Sequence, residues 1–203
     1  MNWASTSAME NGEQKKESVW DGTRPTRLRW DELKRFIEVE KKLDQLGRLS
    51  EDLQVYLARV AELKRDYKTV GDFVLCREFG LTPQIDEDDG KRFVPSSAIE
   101  ERRSRTSSNS VMEEDYTFVP NDFPYAVDKD IEHHLLWSLH DLDEAQVAQI
   151  VAKERPAHLY ETICCVNPTH LKSVLNVFHA HIFSRRTLSP SSTVQQHNTT
   201  EAP

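Results

Sequence analysis

Two histidines near the end of the chain, His179 and His181, lie two residues apart inside the apolar run "NVFHAHIF". Side chains at positions i and i+2 of a β-strand project from the same face, so the two imidazoles would lie side by side, about 7 Å apart along the strand. An imidazole among apolar neighbours needs a hydrogen-bond partner or a ligand, because an unpaired buried polar group costs about 1–3 kcal/mol. The pair is therefore the first candidate for a functional site.

Three interpretations of this pair follow from the chemistry of imidazole. Hydrogen bonds within the core can satisfy both rings, which then have no further role. The rings can bind a first-row metal with a third ligand from Glu132, His133 or His134. They can also contact a phosphate group, as nucleophile or hydrogen-bond partner. Cupin-type barrels that use such a pair have an acidic residue shortly after it, and "HIFSRRTLS" has none, so we expect no metal and no cofactor.

Positive charge lies close to the pair, because Arg185 follows His181 by four residues. Its guanidinium beside the imidazoles would complement an anion. The chain as a whole has a net charge of -8, whereas a general nucleic-acid-binding protein needs clustered Lys and Arg on one face. We therefore expect a phosphate-containing small molecule as partner and no nucleic acid, and we leave the oligomeric state open.

The sequence also predicts the cellular environment. No apolar run approaches the roughly 18–20 residues of a transmembrane helix, and the first residues lack the apolar middle of a signal peptide. Two of the three cysteines are adjacent, at Cys164 and Cys165, which is typical of reduced thiols rather than a disulfide framework. We expect a cytoplasmic protein that does not bind a membrane.

The first half of the chain predicts a helical layer between polar segments. Apolar residues recur at helical spacing over 30–43 and 50–67, and a third helix precedes Gly80. Ser50, followed by two acidic residues, is the predicted N-cap of the second helix. The polar segments are predicted to be disordered tails over 1–24 and 186–203 and a flexible loop over 82–114, which interrupts a single domain over 25–185.

The second half alternates strands with one helix. Strands are predicted around "YTFVP", "IEHHLLWSL", "YETICCVNP" and "VLNVFHAHIFS". An amphipathic helix, "DEAQVAQIVAKE", lies between them and is capped by Asp141 or Asp143. This order predicts an α+β fold in which the N-terminal helical layer packs on an antiparallel sheet and one helix is segregated to a face of that sheet.

Three blocks of the chain resemble a fungal family that contains the N-acetylglucosamine-induced protein. They include "NDFPYAVDKDIEHHLLWS" and "VNPTHLKSVLNVFHAHIF", where the family has N-D-W-P-Y, D-I-x-H, N-x-x-x-L-K-S and H-x-H-V. Here Phe123 stands in place of the tryptophan. The resemblance implies an intracellular protein of unassigned biochemistry, linked by name to an amino-sugar response.

A second resemblance is to histidine-triad proteins and sugar-nucleotide uridylyltransferases. It is carried by "NDFPY", by "HLLWS" and by the final strand, in which Val177, His179 and His181 would occupy the triad. It implies a histidine-triad-like fold, with His179 as the nucleophile and His181 as a phosphate contact. Both are the candidate catalytic residues. The candidate ligand-binding residues are Asn121, Asp122, His134, Asn167 and Arg185.

Two functions from different classes follow from these patterns. The first is a binding or response module for a sugar nucleotide or another phosphate-containing metabolite. The second is a nucleotidyl hydrolase or transferase that depends on His179. Val177, in place of the first histidine of a triad, favours binding over turnover.

Overall fold

The structure is a computed structural model that describes residues 22–105 and 115–187. Most of the two predicted tails and the end of the predicted loop lie outside the described residues. Within these ranges the chain forms five α-helices and eight strands. In chain order they are β1 Thr23–Arg24, α1 Trp30–Lys34, β2 Arg48–Leu49, α2 Ser50–Asp66, α3 Val70–Phe79, β3 Gln84–Ile85, β4 Arg92–Phe93, α4 Ser96–Ser104, β5 Tyr116–Pro120, β6 Glu132–Ser138, α5 Glu144–Glu154, β7 Tyr160–Cys165 and β8 Phe178–Arg186.

The centre of the fold is an antiparallel sheet of four strands in the order β5-β6-β8-β7. In the register of β6 and β8, Leu135 pairs with His181 and Trp137 pairs with His179. Because side chains alternate between faces, these four residues share one face with His133. We call this the histidine face of the sheet.

Helices cover both faces of the sheet, and this confirms the predicted α+β class. The face opposite the histidine face packs against α5, where Leu136 and Ile182 form one apolar cluster with Val147 and Ile150. The histidine face packs against the N-terminal helices in two further clusters. One cluster joins α1 to β7 and β8, and the other joins α3 to β6. The N-terminal layer and the segregated helix are therefore both present.

Local signals explain where two of the helices begin and end. The Thr69 hydroxyl accepts from the Asp72 backbone N–H at 3.0 Å at the start of α3, and Gly80 ends this helix with φ of 66°. A left-handed residue after a helix is usually glycine because it lacks a Cβ atom. The α5 helix is capped by Asp143, which accepts from the Gln146 backbone N–H at 2.8 Å. The predicted C-cap at Gly80 is confirmed. Of the two predicted N-caps of α5, Asp143 is confirmed.

Two helix predictions need correction. Ser50 is the first residue of α2 rather than its N-cap, because the chain enters the helix through β2 and extended Leu49 takes the cap position without a side-chain bond. The first helix ends earlier than predicted. After α1 the chain forms a π-helical turn over Arg35–Val39, and Lys41 then takes a positive φ of 54° that stops the helix.

The prediction of one flexible loop over 82–114 is wrong between Gln84 and Ser104, where the chain forms β3, β4 and α4. The β3 and β4 strands form a hairpin whose turn is held by Asp86, which accepts from the backbone N–H of Asp88 at 2.9 Å. The α4 helix follows Pro95, and Arg103 docks it by donating to the Leu139 carbonyl at 2.5 Å. These elements are short and polar, so they lack the apolar periodicity that predicts longer ones.

Candidate functional site

A cavity of about 130 Å³ lies between the helices α2 and α3 and the histidine face of the sheet. The sheet contributes His179, His181 and Trp137 to its wall. The helices contribute a mixture of aromatic and basic side chains, and the segments before β6 and after β7 complete the wall. The cavity is therefore bordered by imidazoles on one side and guanidiniums on the other.

Two buried imidazoles form the polar centre beside this cavity. The Tyr125 backbone N–H donates to His133 Nδ1 at 3.1 Å, and His133 Nε2 lies 3.0 Å from His181 Nδ1. The His133 ring also stacks on Phe183, with 4.3 Å between the ring centroids. Burial, together with a neighbouring imidazole, holds the pKa of His133 well below its usual range and lowers the pKa of His181 to about 3. Both rings are consequently neutral at physiological pH.

Asn167 extends this polar centre from the segment after β7. Its amide nitrogen donates to the Tyr125 hydroxyl at 2.9 Å and lies 3.1 Å from His181 Nε2. Its oxygen is buried and has no partner among the described residues, and the same holds for the indole nitrogen of Trp137. Both side chains line the cavity. Buried polar groups are normally bonded to protein or to ordered water, so two unpartnered ones in one wall indicate a place for a ligand.

His179 has a defined orientation in the same wall. Its Nδ1 lies 3.3 Å from the Val177 carbonyl oxygen, which can only accept, so the ring carries its proton on Nδ1. Burial lowers the pKa of His179, and its ring contacts Trp137 at a centroid distance of 4.8 Å. The Nε2 atom of this neutral ring therefore carries a lone pair, which can accept a hydrogen bond.

Arg48 supplies a positive charge that the carboxylate of Asp52 affects only through space, without a salt bridge among the described residues. Its Nε donates to the Phe123 carbonyl at 3.1 Å, and its guanidinium lies over the rings of Tyr56 and Tyr125, 4.0 and 5.0 Å from their centroids. Within the part of the chain that the structure describes, it forms no salt bridge. Burial lowers the pKa of Arg48, yet guanidinium stays protonated in proteins.

Two further arginines on the helical wall are paired. Arg59 bonds to Glu62 at 2.9 Å, and Arg77 bonds to Asp122 at 2.5 Å. Both guanidiniums lie near the ring of Phe73, at 5.5 and 5.2 Å. These two salt bridges are solvent-exposed, and such bridges contribute about 0–1 kcal/mol, so an anionic ligand can replace Glu62 and Asp122 at little cost. Arg77 also bonds to the less exposed Glu78.

The structure brings together five of the seven predicted site residues. The residues among them that line the cavity are Asn121, Asp122, Asn167, His179 and His181. Their placement agrees with one shared site, while their roles in binding and catalysis stay predictions.

The other two predicted residues, His134 and Arg185, lie elsewhere. His134 projects from the opposite face, where its Nε2 lies 2.6 Å from Arg155 Nη2 and its ring stacks on Phe118. Adjacent strand residues alternate, so His133 takes the position proposed for His134. Arg185 lies four residues beyond His181, about 13 Å along β8, where it bonds to Glu161 at 2.6 Å. Neither side chain lines the cavity.

The basic residues of the helical wall were not predicted from the sequence. Arg59 occupies the apolar stripe of α2 with Tyr56 and Leu63, at the i, i+3 and i+7 positions of one helical face. A charged residue inside such a stripe was the available signal. Arg48 is the first residue of the two-residue strand β2. Such a short strand has no periodic pattern that could mark it.

Metal ligation has no candidate cluster: across residues 22–105 and 115–187, no three side chains of the His, Cys, Asp or Glu type are grouped to hold an ion. Over the same ranges, no helix has both the length and the apolar character that a bilayer crossing demands.

Fold and cavity define an α+β protein with a polar, aromatic-lined site between a helical layer and a sheet. The family model described as "Protein of unknown function (DUF3605)" matches residues 29–185, and the chain belongs to this family. A solved structure titled "Crystal Structure of HTC1" is similar, with a TM-score of 0.52, 20% sequence identity and coverage of 77% of this chain and 84% of that chain. This likeness concerns the fold alone. No curated protein matches the chain.

Proposed function

We propose that the cavity binds a phosphate-containing metabolite of the sugar-nucleotide class and that the protein is a binding or response module. The observation that carries this proposal is Arg48. A guanidinium that is partly withdrawn from water and has no carboxylate partner is costly to keep, and an anion beside it removes this cost. Arginine binds phosphate well because its planar fork offers parallel N–H donors.

The dimensions of the cavity support a ligand with a ring and an anionic group. A cavity of about 150 Å³ holds one benzene-sized ring, and this one encloses about 130 Å³. The rest of a larger ligand would lie along the helical wall, where Arg59 and Arg77 provide further positive charge. The resemblance of "NDFPY" and "HAHIF" to the N-acetylglucosamine-induced family agrees with an amino-sugar nucleotide.

The test is a thermal-shift screen with UDP-N-acetylglucosamine, UDP and inorganic phosphate. A ligand at a free concentration 100 times its Kd stabilises the folded state by about 2.7 kcal/mol, so binding raises the melting temperature. Arg48→Met should remove this rise. Arg92→Met is the matched control, because Arg92 lies 4.2 Å from the ring centroid of Tyr67 but outside the cavity wall. A rise that survives Arg48→Met contradicts the proposal.

A second candidate function is nucleotidyl transfer or hydrolysis by His179. The observation that favours it is the proton on Nδ1, which leaves the Nε2 lone pair free to attack a phosphorus atom. Attack would form a P–N bond while the bond to the leaving oxygen breaks, and water would later hydrolyse the P–N bond. Incubation with UDP-N-acetylglucosamine followed by mass spectrometry should then show a uridylyl adduct that His179→Asn abolishes. Unchanged turnover in His179→Asn would exclude this function.

A further inference from the structure

The hydrogen bonds from Tyr125 to Asn167 have only one consistent direction. The Tyr125 backbone N–H can only donate, and it lies 3.1 Å from His133 Nδ1. That nitrogen must therefore carry a lone pair, and the neutral ring of His133 carries its proton on Nε2.

The same logic assigns the proton of the next ring. His133 Nε2–H donates to His181 Nδ1 across 3.0 Å, so the single proton of neutral His181 is on Nε2. This nitrogen lies 3.1 Å from the amide nitrogen of Asn167. Two donors then face each other in a buried region, while the amide oxygen of Asn167 has no partner among the described residues. Unbonded groups of this kind cost about 1–3 kcal/mol each.

We propose that the Asn167 carboxamide adopts the orientation that is rotated by half a turn about its Cβ–Cγ bond, so that its amide nitrogen serves as a hydrogen-bond donor to the ligand. Its oxygen then accepts from His181 Nε2–H and from the Tyr125 hydroxyl, which are both within reach. The two orientations have the same shape, because amide oxygen and nitrogen differ little in size. The amino group takes the position where the oxygen lacked a partner.

This orientation defines the chemistry that the Asn167 side of the cavity recognises, and it rests on the proposed function. The amino group of Asn167 and the indole N–H of Trp137 are then two unpartnered donors in one wall. They are complementary to an oxygen acceptor, either the carbonyl oxygen of a base or acyl group or a phosphoryl oxygen. An ammonium group offers only donors, so these two N–H groups do not bind one.

Nitrogen-15 NMR of the imidazoles in the unliganded, full-length protein tests the orientation without any ligand. We expect His133 and His181 both to carry the proton on Nε2. A proton on His181 Nδ1 would overturn the inference, because Asn167 would then donate to His181 and keep its oxygen unpartnered.

Binding of three probes tests the recognition. Inorganic phosphate offers phosphoryl oxygens, uridine offers carbonyl oxygens without phosphate, and methylammonium offers N–H donors alone. We expect phosphate or uridine to bind, and the one that binds identifies the acceptor, whereas methylammonium does not bind. Asn167→Asp, which has acceptors only, should weaken that binding at least tenfold. Asn176→Asp is the matched control, since Asn176 is exposed and lies outside the cavity wall.

Each outcome separates this inference from the proposed function. Binding that Asn167→Asp leaves intact, or binding of methylammonium, overturns the recognition. Absence of binding by phosphate and uridine overturns recognition and counts against the proposed function, while the proton positions still decide the orientation of Asn167. Circular dichroism shows whether Asn167→Asp folds. If it does not fold, the proton positions and the methylammonium result carry the test.

Discussion

His133 and His134 are neighbours in the sequence, yet they lie in two different environments on opposite faces of the sheet. On the face of His134, the guanidinium of Arg155 bonds to Glu132 at 3.0 Å and lies 2.6 Å from His134 Nε2. Its charge is balanced by a carboxylate. On the face of His133, the guanidinium of Arg48 in the cavity wall forms no such salt bridge in the described part of the chain.

Residue type alone therefore does not distinguish a structural polar cluster from the proposed binding site. Both faces combine imidazole, arginine and an aromatic ring. Among the described residues, the difference lies in the balance of charge and in where unpartnered atoms lie. His134 Nδ1 is also buried without a partner, but the amide oxygen of Asn167 and the indole nitrogen of Trp137 are in one cavity wall. A binding site is a place where the protein leaves hydrogen bonds and charge for a ligand to complete.

The largest expected effect comes from truncating the two histidines in turn. His133→Ala removes the acceptor of the Tyr125 N–H, the donor to His181 and the stack on Phe183, so we expect a loss of about 3–4 kcal/mol in the free energy of unfolding. His134→Ala should cost about 1–2 kcal/mol, because Arg155 keeps its bond to Glu132. Urea denaturation measures both. Equal losses would contradict the distinction between the two faces.

The pH dependence of stability should be dominated by the same face. The pKa of His181 is about 3 in the folded protein, against roughly 6.5 in an unfolded chain. Above pH 6.5 the ring is neutral in both states. Between these values the unfolded chain binds a proton that the folded protein does not, so stability falls as pH falls, by about 1.4 kcal/mol per pH unit or about 2 kcal/mol at pH 5.

The variants for this prediction are His181→Leu and His134→Leu, compared by urea denaturation near pH 7 and pH 5. His181→Leu should lower the slope of the free energy of unfolding against pH by the equivalent of about one bound proton. His134→Leu should lower it less, because Glu132 opposes the effects of burial and of Arg155 that lower the pKa of His134. A slope that is the same in His181→Leu and in the unsubstituted protein would refute the prediction.

The sequence predicted the sheet well because its signals are local. Apolar runs define β6 and β8, and Asp143 caps α5. The π-helical turn over Arg35–Val39 and the short elements up to Ser104 depend on packing against the rest of the fold, and no repeat of apolar residues marks them.

The site was partly predictable for the same reason. The alternation of a strand places His179 and His181 on one face without knowledge of the fold. It does not decide between His133 and His134, because β6 is buried on both faces and its apolar residues fall on each. Only the pairing of β6 with β8 sets which histidine meets His181.

The smallest expected effect is the most specific to the comparison. With no ligand added, Arg155→Met should cost about 1–2 kcal/mol in the free energy of unfolding, because it leaves Glu132 and His134 without their donor. Arg48→Met should change stability by less than about 1 kcal/mol, since the lost bond to the Phe123 carbonyl is offset by removing a partly buried, unbalanced charge. The methionine keeps contact with the rings of Tyr56 and Tyr125. Urea denaturation of both variants decides the matter: if Arg48→Met costs as much as Arg155→Met, then Arg48 holds the fold together as Arg155 does, and its charge is not reserved for a ligand.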